Sequence, residues 1–267
     1  MTPGLRYTKG HGTENDFVVV PDPDGTLSLT AQLVRRICDR RAGLGADGVL
    51  RVVPCVVEPA GAPYAEQARF FMDYRNADGS IAEMCGNGVR VYARYLVEQG
   101  LVPPGLLRLA TRGGIKEVQV PPSGDVTVDM GPAVLGEPID MDGASATTVD
   151  MGNPHAVVHV TSVAGLGVLD PARTDLNVEY VQDLGPTHIA MRVHERGVGE
   201  TRSCGTGACA AVVATVLRHA LPRGTAYDVD VPGGRLVVTW GENGHVRLRG
   251  PAVLVASGTI RPQWLEA

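Results

Sequence analysis

The sequence predicts an α/β fold of the α+β type: two pseudo-symmetric domains, each a curved, mainly antiparallel sheet wrapped around a central helix, with an active site in the cleft between them. Three observations carry this. "CGNGVRVYARYL" from Cys85 is echoed by "CGTGACAAVVATVL" from Cys204, each placing Cys-Gly, a polar residue and a second Gly ahead of an apolar helical run. The interval between the two cysteines recurs between Gly131 of one "GPAVL" and Gly250 of another, so the copies share a register. Between helix and "GPAVL", each copy carries a Gly-Gly step, Gly113-Gly114 or Gly233-Gly234, amid alternating segments that read as hairpins. Residues 1–135 then form the half with Cys85, and residues 136–267 the half with Cys204.

Taken in chain order, "ENDFVVV" supplies a strand behind Asn15, and its looser counterpart is "GNPHAVVHV" behind Asn153. The offset between these two is larger, so the first half carries extra material. Candidates are a helix in "TAQLVRRICDR", capped by Thr30, and the Pro-rich "PCVVEPAGAPY". The helix after Cys85 has Arg90, Arg94 and Glu98 four apart, which predicts a solvated face. The helix after Cys204 is apolar almost all round, which predicts a buried axis. "IKEVQV", "DVTVDM", "RLVVTW" and "HVRLRG" alternate as half-buried strands do.

Composition narrows the partners. The chain has 267 residues, 44% hydrophobic and 20% charged, with a net charge of −5 and no basic stripe. Nucleic acid and membrane surfaces are therefore poor partners, and small molecules come first. Neither a signal peptide nor a membrane-length apolar run is read in it, which predicts a cytoplasmic protein. Five cysteines at uneven spacing argue against a secreted disulfide framework, and the absence of C-x-x-C or H-E-x-x-H patterns predicts no metal site.

A cysteine at the first turn of a helix sits among unmatched amide N–H groups at the positive end of the dipole, which favours its thiolate. Two such helix starts facing one cleft would bind a small carboxylate through their amides and place a thiol on either side of the carbon that bears it. One thiolate takes a proton while the other thiol returns one from behind, and the centre inverts. An amino-acid α-hydrogen is a very weak acid, so the donors aimed at the carboxylate have to stabilise the carbanion. Pyridoxal chemistry would need a Schiff-base lysine, and Lys9 and Lys116 are the only lysines, neither in a phosphate cradle. The glycines of "RRAGLGADG" follow a helix-like run rather than a strand, which counts against a dinucleotide site. No cofactor is expected.

"NADGSIAEMCGNGVR" and "ERGVGETRSCGTGA" resemble the two cysteine signatures of the diaminopimelate epimerase family, and "GHGTENDF", "GLGADG", "MGNPHAV" and "LNVEYVQ" extend the likeness over nearly the whole chain. The resemblance implies interconversion of LL- and meso-2,6-diaminopimelate by Cys85 and Cys204, either able to act as base or acid, in lysine and peptidoglycan precursor synthesis. It implies that Gly86-Asn87 and Gly205-Thr206 hold the reacting carboxylate. It places Asn15, Asn76, Asn153, Asn177 and Arg196 on the substrate's polar groups, with Arg196 gripping the distal carboxylate. His155 and Glu195 match positions that assist the thiols or bind the ammonium, and a homodimer is implied. One departure stands out: Gly48 occupies a position where many members have a substrate-contacting Gln.

Each reading has a plainer rival. Cys38, Cys55 and Cys209 read as core filler. Without the motif context the asparagines would be turn residues, Glu195 a surface charge, Arg196 its ion-pair partner, and His155 a satisfied histidine at a strand start. Among functions, a proline racemase or hydroxyproline epimerase uses the same two-thiol logic with a smaller, more apolar pocket. A thiol redox protein with a Cys85–Cys204 disulfide is a more remote alternative, and a non-catalytic amino-acid binding protein a third.

Overall fold

The computed structural model describes residues 4–141, 143–173 and 175–266. In chain order the first elements are β1 (Leu5–Gly12), β2 (Asn15–Pro21), α1 (Ala31–Cys38), β3 (Gly48–Pro54), β4 (Phe70–Asn76), α2 (Gly86–Glu98), β5 (Gly105–Thr111) and β6 (Gly114–Val120). There follow β7 (Val126–Pro132), β8 (Val134–Leu135), β9 (Ile139–Met141), β10 (Ala144–Asp150), β11 (Pro154–His159), β12 (Asn177–Gly185), β13 (His188–Glu195) and β14 (Gly199–Thr201). The chain ends with α3 (Gly205–Arg218), β15 (Ala226–Val231), β16 (Gly234–Trp240), β17 (His245–Gly250), β18 (Val253–Ile260) and the short α4 (Pro262–Glu266).

Two compact units result. One comprises Met1–Gly12, Asp16–Val126 and Pro251–Ala267, the other Thr13–Asn15 and Thr127–Gly250. In the first unit β18 runs antiparallel to β1, β2 parallel to β3, β3 antiparallel to β4, β4 parallel to β5 and β5 antiparallel to β6. In the second, β10 runs antiparallel to β11, β11 parallel to β12, β12 antiparallel to β13, β13 parallel to β15 and β15 antiparallel to β16. From β2 in the first unit and β11 in the second, the two units repeat one order of parallel and antiparallel steps, the internal symmetry that the doubled motifs predict. Both "GPAVL" segments pair outside their own half of the sequence: β8 joins β10, and β18 joins β1. The compact units therefore cut the chain near Val126 and return its last strand to the first sheet.

Each unit's strands pack on a central helix, and α1 lies in addition against β3. α2 lies against β1, β3, β4, β6 and β18, and α3 against β10 to β13 and β15 to β17. α3 is apolar and buried along nearly its whole length, as its sequence predicts. α2 is a correction. Arg90 is fully buried and Arg94 nearly so, because their guanidinium groups reach backbone carbonyls. Arg90 donates to the carbonyls of Gly86 and Pro251, and Arg94 to those of Pro121 and Gly124. A buried guanidinium is tolerable only when its N–H fork is met in this way. Thr30 caps α1 as expected, its hydroxyl accepting the N–H of Leu33 at 3.2 Å. Cys38, Cys55 and Cys209 are buried in the core.

Gly48 opens β3, opposite Asn76 of β4. A β-carbon there would stand 2.5 Å from the Arg75 carbonyl oxygen and 2.7 Å from the Tyr74 ring, so the ring fills the space a side chain would need. Introducing Gln at this position should not restore a polar contact. Gly48→Gln should lower unfolding free energy by about 1–3 kcal/mol, as overpacking does, and urea denaturation with an unchanged midpoint would refute this.

Candidate active site

In the first unit, Cys85 is the N-cap of α2. Its extended backbone turns the thiol over the first turn, where Sγ accepts the N–H of Gly88 at 3.5 Å. Gly86 and Asn87 form that turn, whose amides helical geometry aims out of the helix start. The loop before Cys85 is held from several sides. Asp78 accepts both the amide and the hydroxyl of Ser80, and Asn76 donates its side-chain amide to the Ser80 hydroxyl at 3.0 Å. The Gly113 amide fastens the Glu83 carbonyl. Beneath lies Asp73, wholly buried, paired with Arg51, Arg75 and Arg112. Burial pushes its carboxyl up, but Arg75 and Arg112 outweigh that and hold it below the ordinary carboxylate value.

In the second unit, Cys204 is the N-cap of α3 in the same extended geometry. Its Sγ accepts the N–H of Gly207 at 3.4 Å and lies 3.4 Å from the Thr206 hydroxyl; Gly205 and Thr206 form the first turn. The strands behind it bring five of the expected residues, Asn153, His155, Asn177, Glu195 and Arg196, into one neighbourhood. His155, on β11, is buried with Nδ1 2.7 Å from Glu179 Oε1 and Nε2 3.1 Å from Asn153 Oδ1. Parallel pairing of β11 with β12 sets Asn177 beside His155. Asn177 donates to the Pro154 carbonyl and accepts the Arg196 amide, which ties the turn after β13 to the strand starts. The Arg196 side chain stands exposed on that turn. Glu195 closes β13 and accepts a hydrogen bond from the Thr201 hydroxyl.

Charge and burial act on Cys204 against the expectation that a helix start lowers a thiol's pKa. Burial pushes this thiol well above its ordinary value, and the Glu195 and Glu179 carboxylates push it further. The bonds from Thr206 and the Gly207 amide oppose this without offsetting it, so Cys204 keeps its proton. Glu195 is itself raised, first by burial and then by Glu179, while Thr201, His155 and Cys204 pull it down.

Asn15 sits in the second unit beside an unusual turn. Thr13 and Glu14, between β1 and β2, both have positive φ, 51° and 61°, the two-residue hairpin geometry that usually takes Asn-Gly. Thr13 is buried with its hydroxyl 2.6 Å from that of Ser203, and Glu14 pairs with Arg202. These contacts hold the strained turn against the residues that lead into Cys204.

Thr13, Thr201 and Glu179 are not among the residues the motifs single out. Glu179 had a signal: it is an acidic residue amid strand positions that are otherwise apolar, in "NVEYV".

Comparison with known proteins places the chain in a family. The family described as diaminopimelate epimerase matches residues 7–136 and 147–255. The diaminopimelate epimerase of Streptomyces coelicolor is 52% identical over 100% of this chain and 99% of its own length. A Bacillus anthracis protein of the PhzF phenazine biosynthesis family has a TM-score of 0.74 at 15% identity, covering 96% of this chain and 99% of its own. A hydroxyproline epimerase from Agrobacterium vitis has a TM-score of 0.69 at 15% identity, covering 99% and 95%. At such identity these two likenesses concern the fold alone.

Glu195→Gln removes the larger of the two carboxylate charges acting on Cys204. The thiol should then ionise at lower pH, and the midpoint of its alkylation against pH, read by peptide mass spectrometry, should fall. Cys38, pushed up to about 12 by burial, should not move with it. An unchanged Cys204 midpoint would show that Glu195 exerts no field there.

Proposed function

We propose, from the premise that this chain belongs to the diaminopimelate epimerase family, that it is an isomerase inverting one α-carbon of 2,6-diaminopimelate between the LL and meso forms with a pair of thiols. The observation that carries the reading is the matched pair of helix starts. In each unit a cysteine caps the central helix, and its sulfur accepts the N–H three residues on.

The reaction requires both thiols at one carbon, on opposite faces. The Cys85 thiolate takes the α-proton, and Cys204, which burial and its acidic neighbours keep protonated, returns one from behind. The pair ends with the proton on Cys85 and the charge on Cys204, and the reverse reaction runs the same steps backwards. As the proton leaves, charge spreads onto the α-carboxylate. The amides of Gly86-Asn87 and Gly205-Thr206 are the donors for it, and such fixed donors act most strongly where water is excluded. Glu195 and His155 serve the thiol and the substrate ammonium.

Asn15, Asn76, Asn153, Asn177 and Arg196 recognise the polar far end. Asn177 spends one amide hydrogen on Pro154 and one oxygen lone pair on the Arg196 amide, which leaves one of each for substrate. The exposed Arg196 guanidinium suits a bidentate grip on a carboxylate. We place the enzyme in the cytoplasm as a homodimer, supplying lysine and peptidoglycan precursors. The likeness in fold to a hydroxyproline epimerase keeps one rival, a two-thiol racemase for a smaller cyclic amino acid.

Proton NMR in deuterated water, with LL-diaminopimelate in one tube and L-proline in another, tests this without added cofactor. Loss of the α-hydrogen with appearance of the meso isomer is expected in the first tube alone. Exchange of proline alone would keep the thiols and overturn the substrate. Cys85→Ala and Cys204→Ala should each lower turnover by at least about 10²- to 10⁴-fold, the usual span for a proton-transfer group, while Cys38→Ala stays near wild type. Full turnover in either of the first two would overturn the two-thiol scheme.

A further inference from the structure

A buried carboxylate that the reaction scheme uses only as a charge beside Cys204 lies under the first turn of α3. Glu179, on β12, has a side chain with 0% exposure. Its Oε1 is 2.7 Å from Nδ1 of His155, and the same oxygen lies 2.6 Å from where a β-carbon on Gly207 would stand. Gly207 is therefore the residue that lets the carboxylate approach the helix start. The other oxygen, Oε2, is buried with no hydrogen-bond partner among the described residues. An ionised carboxylate in such a place is costly, and an apolar side chain would fill the space with less penalty. Besides its charge beside Cys204, what the carboxylate adds over an apolar side chain is its bond to His155.

That bond has a chemical consequence. A neutral imidazole has one donor and one acceptor nitrogen, and an ionised carboxylate only accepts. Facing Glu179, Nδ1 has to be the donor, and the ring is then set by its partner, as a carboxylate behind an imidazole commonly sets it. Nε2 is then the acceptor, and since an amide oxygen also only accepts, the Asn153 amide, whose Oδ1 stands 3.1 Å away, pairs with it when turned end for end so that its Nδ2–H donates. We infer that Glu179 is a positioning residue that holds the proton of His155 on Nδ1 and thereby turns Nε2, as the working nitrogen, to Asn153 and the substrate. The inference rests on the assignment of His155 and Asn153 to the substrate site above. The nearness of the same carboxylate to Glu195 and Cys204, both of which it raises, places it within the reacting group rather than in a remote part of the core.

Ring-nitrogen NMR of the full-length protein labelled with ¹⁵N-histidine reads this directly, with His155→Gln assigning the signal. Wild type should show a protonated, hydrogen-bonded Nδ1 at His155. Glu179→Gln keeps an accepting oxygen and should keep that pattern; Glu179→Met should lose it. In the same proteins kcat for α-hydrogen exchange should fall about 10- to 100-fold in the Met variant, the usual scale for loss of an orienting partner, with KM little changed and with Gln recovering most of the loss. A wild-type Nδ1 without its proton overturns the inference, and this arm stands even if the Met variant does not fold. So does a Met variant with the wild-type ring pattern or wild-type kcat. The ring spectrum needs no substrate, so failure of diaminopimelate to turn over would sink the substrate assignment while the Nδ1 proton still decides this one.

Discussion

A helix that starts inside a protein has amide groups its own turn cannot satisfy, and in both units of this chain a cysteine sulfur meets one of them. The rest of the architecture follows from that constraint. The helix has to be central so that its start is sheltered, and the sheet has to curl around it so that its sides are covered. The sulfur accepts weakly, so most of the amide field at the helix start stays available for an anion. One local arrangement thus does two things at once: it ends the loop in a defined geometry, and it leaves a nucleophilic atom beside an anion-binding turn.

The second unit shows how the surroundings modify that arrangement. A helix start alone favours a thiolate, yet Cys204 is raised, because burial and two carboxylates outweigh one amide and one hydroxyl. Their placement is specific. Glu195 closes a strand that Thr201 and Asn177 tie in place, and Glu179 rises from the neighbouring strand under the helix. A proton held on Cys204 suits the donor in a two-proton inversion, and the same field that holds it makes the ionised product of the step a strong base for the return.

Much of this was legible in the residues. The doubled cysteine motif, the Gly-Gly hairpins and the Thr30 cap are local signals, and local signals survive folding. Four of the expected residues, Asn153, His155, Asn177 and Glu195, fall into one neighbourhood because β11 runs parallel to β12 and β12 antiparallel to β13, which brings these strand ends together. What was not legible depends on chain far away. Arg90 and Arg94 look solvated at helical spacing, and their burial draws on carbonyls distant in sequence, of Pro251 and of the turn after β6. The raised thiol of Cys204 likewise depends on Glu179, whose place in "LNVEYVQ" does not by itself show that its strand brings it to His155 and under α3.

The exchange of the "GPAVL" strands explains why two similar half-sequences do not simply make two separable bodies. β18, from the end of the second copy, completes the sheet that packs on α2, and β8, from the end of the first, pairs into the sheet that packs on α3. Each helix is thus bordered by chain from the other copy: β18 lies against α2, and Thr13 of the first copy meets Ser203 just before α3. A duplication with this exchange cannot lose or loosen one copy without opening the sheet around the other's helix. A reaction that needs two equivalent helix starts is well served by such a chain, because the integrity of each sheltered cysteine is tied to the presence of both.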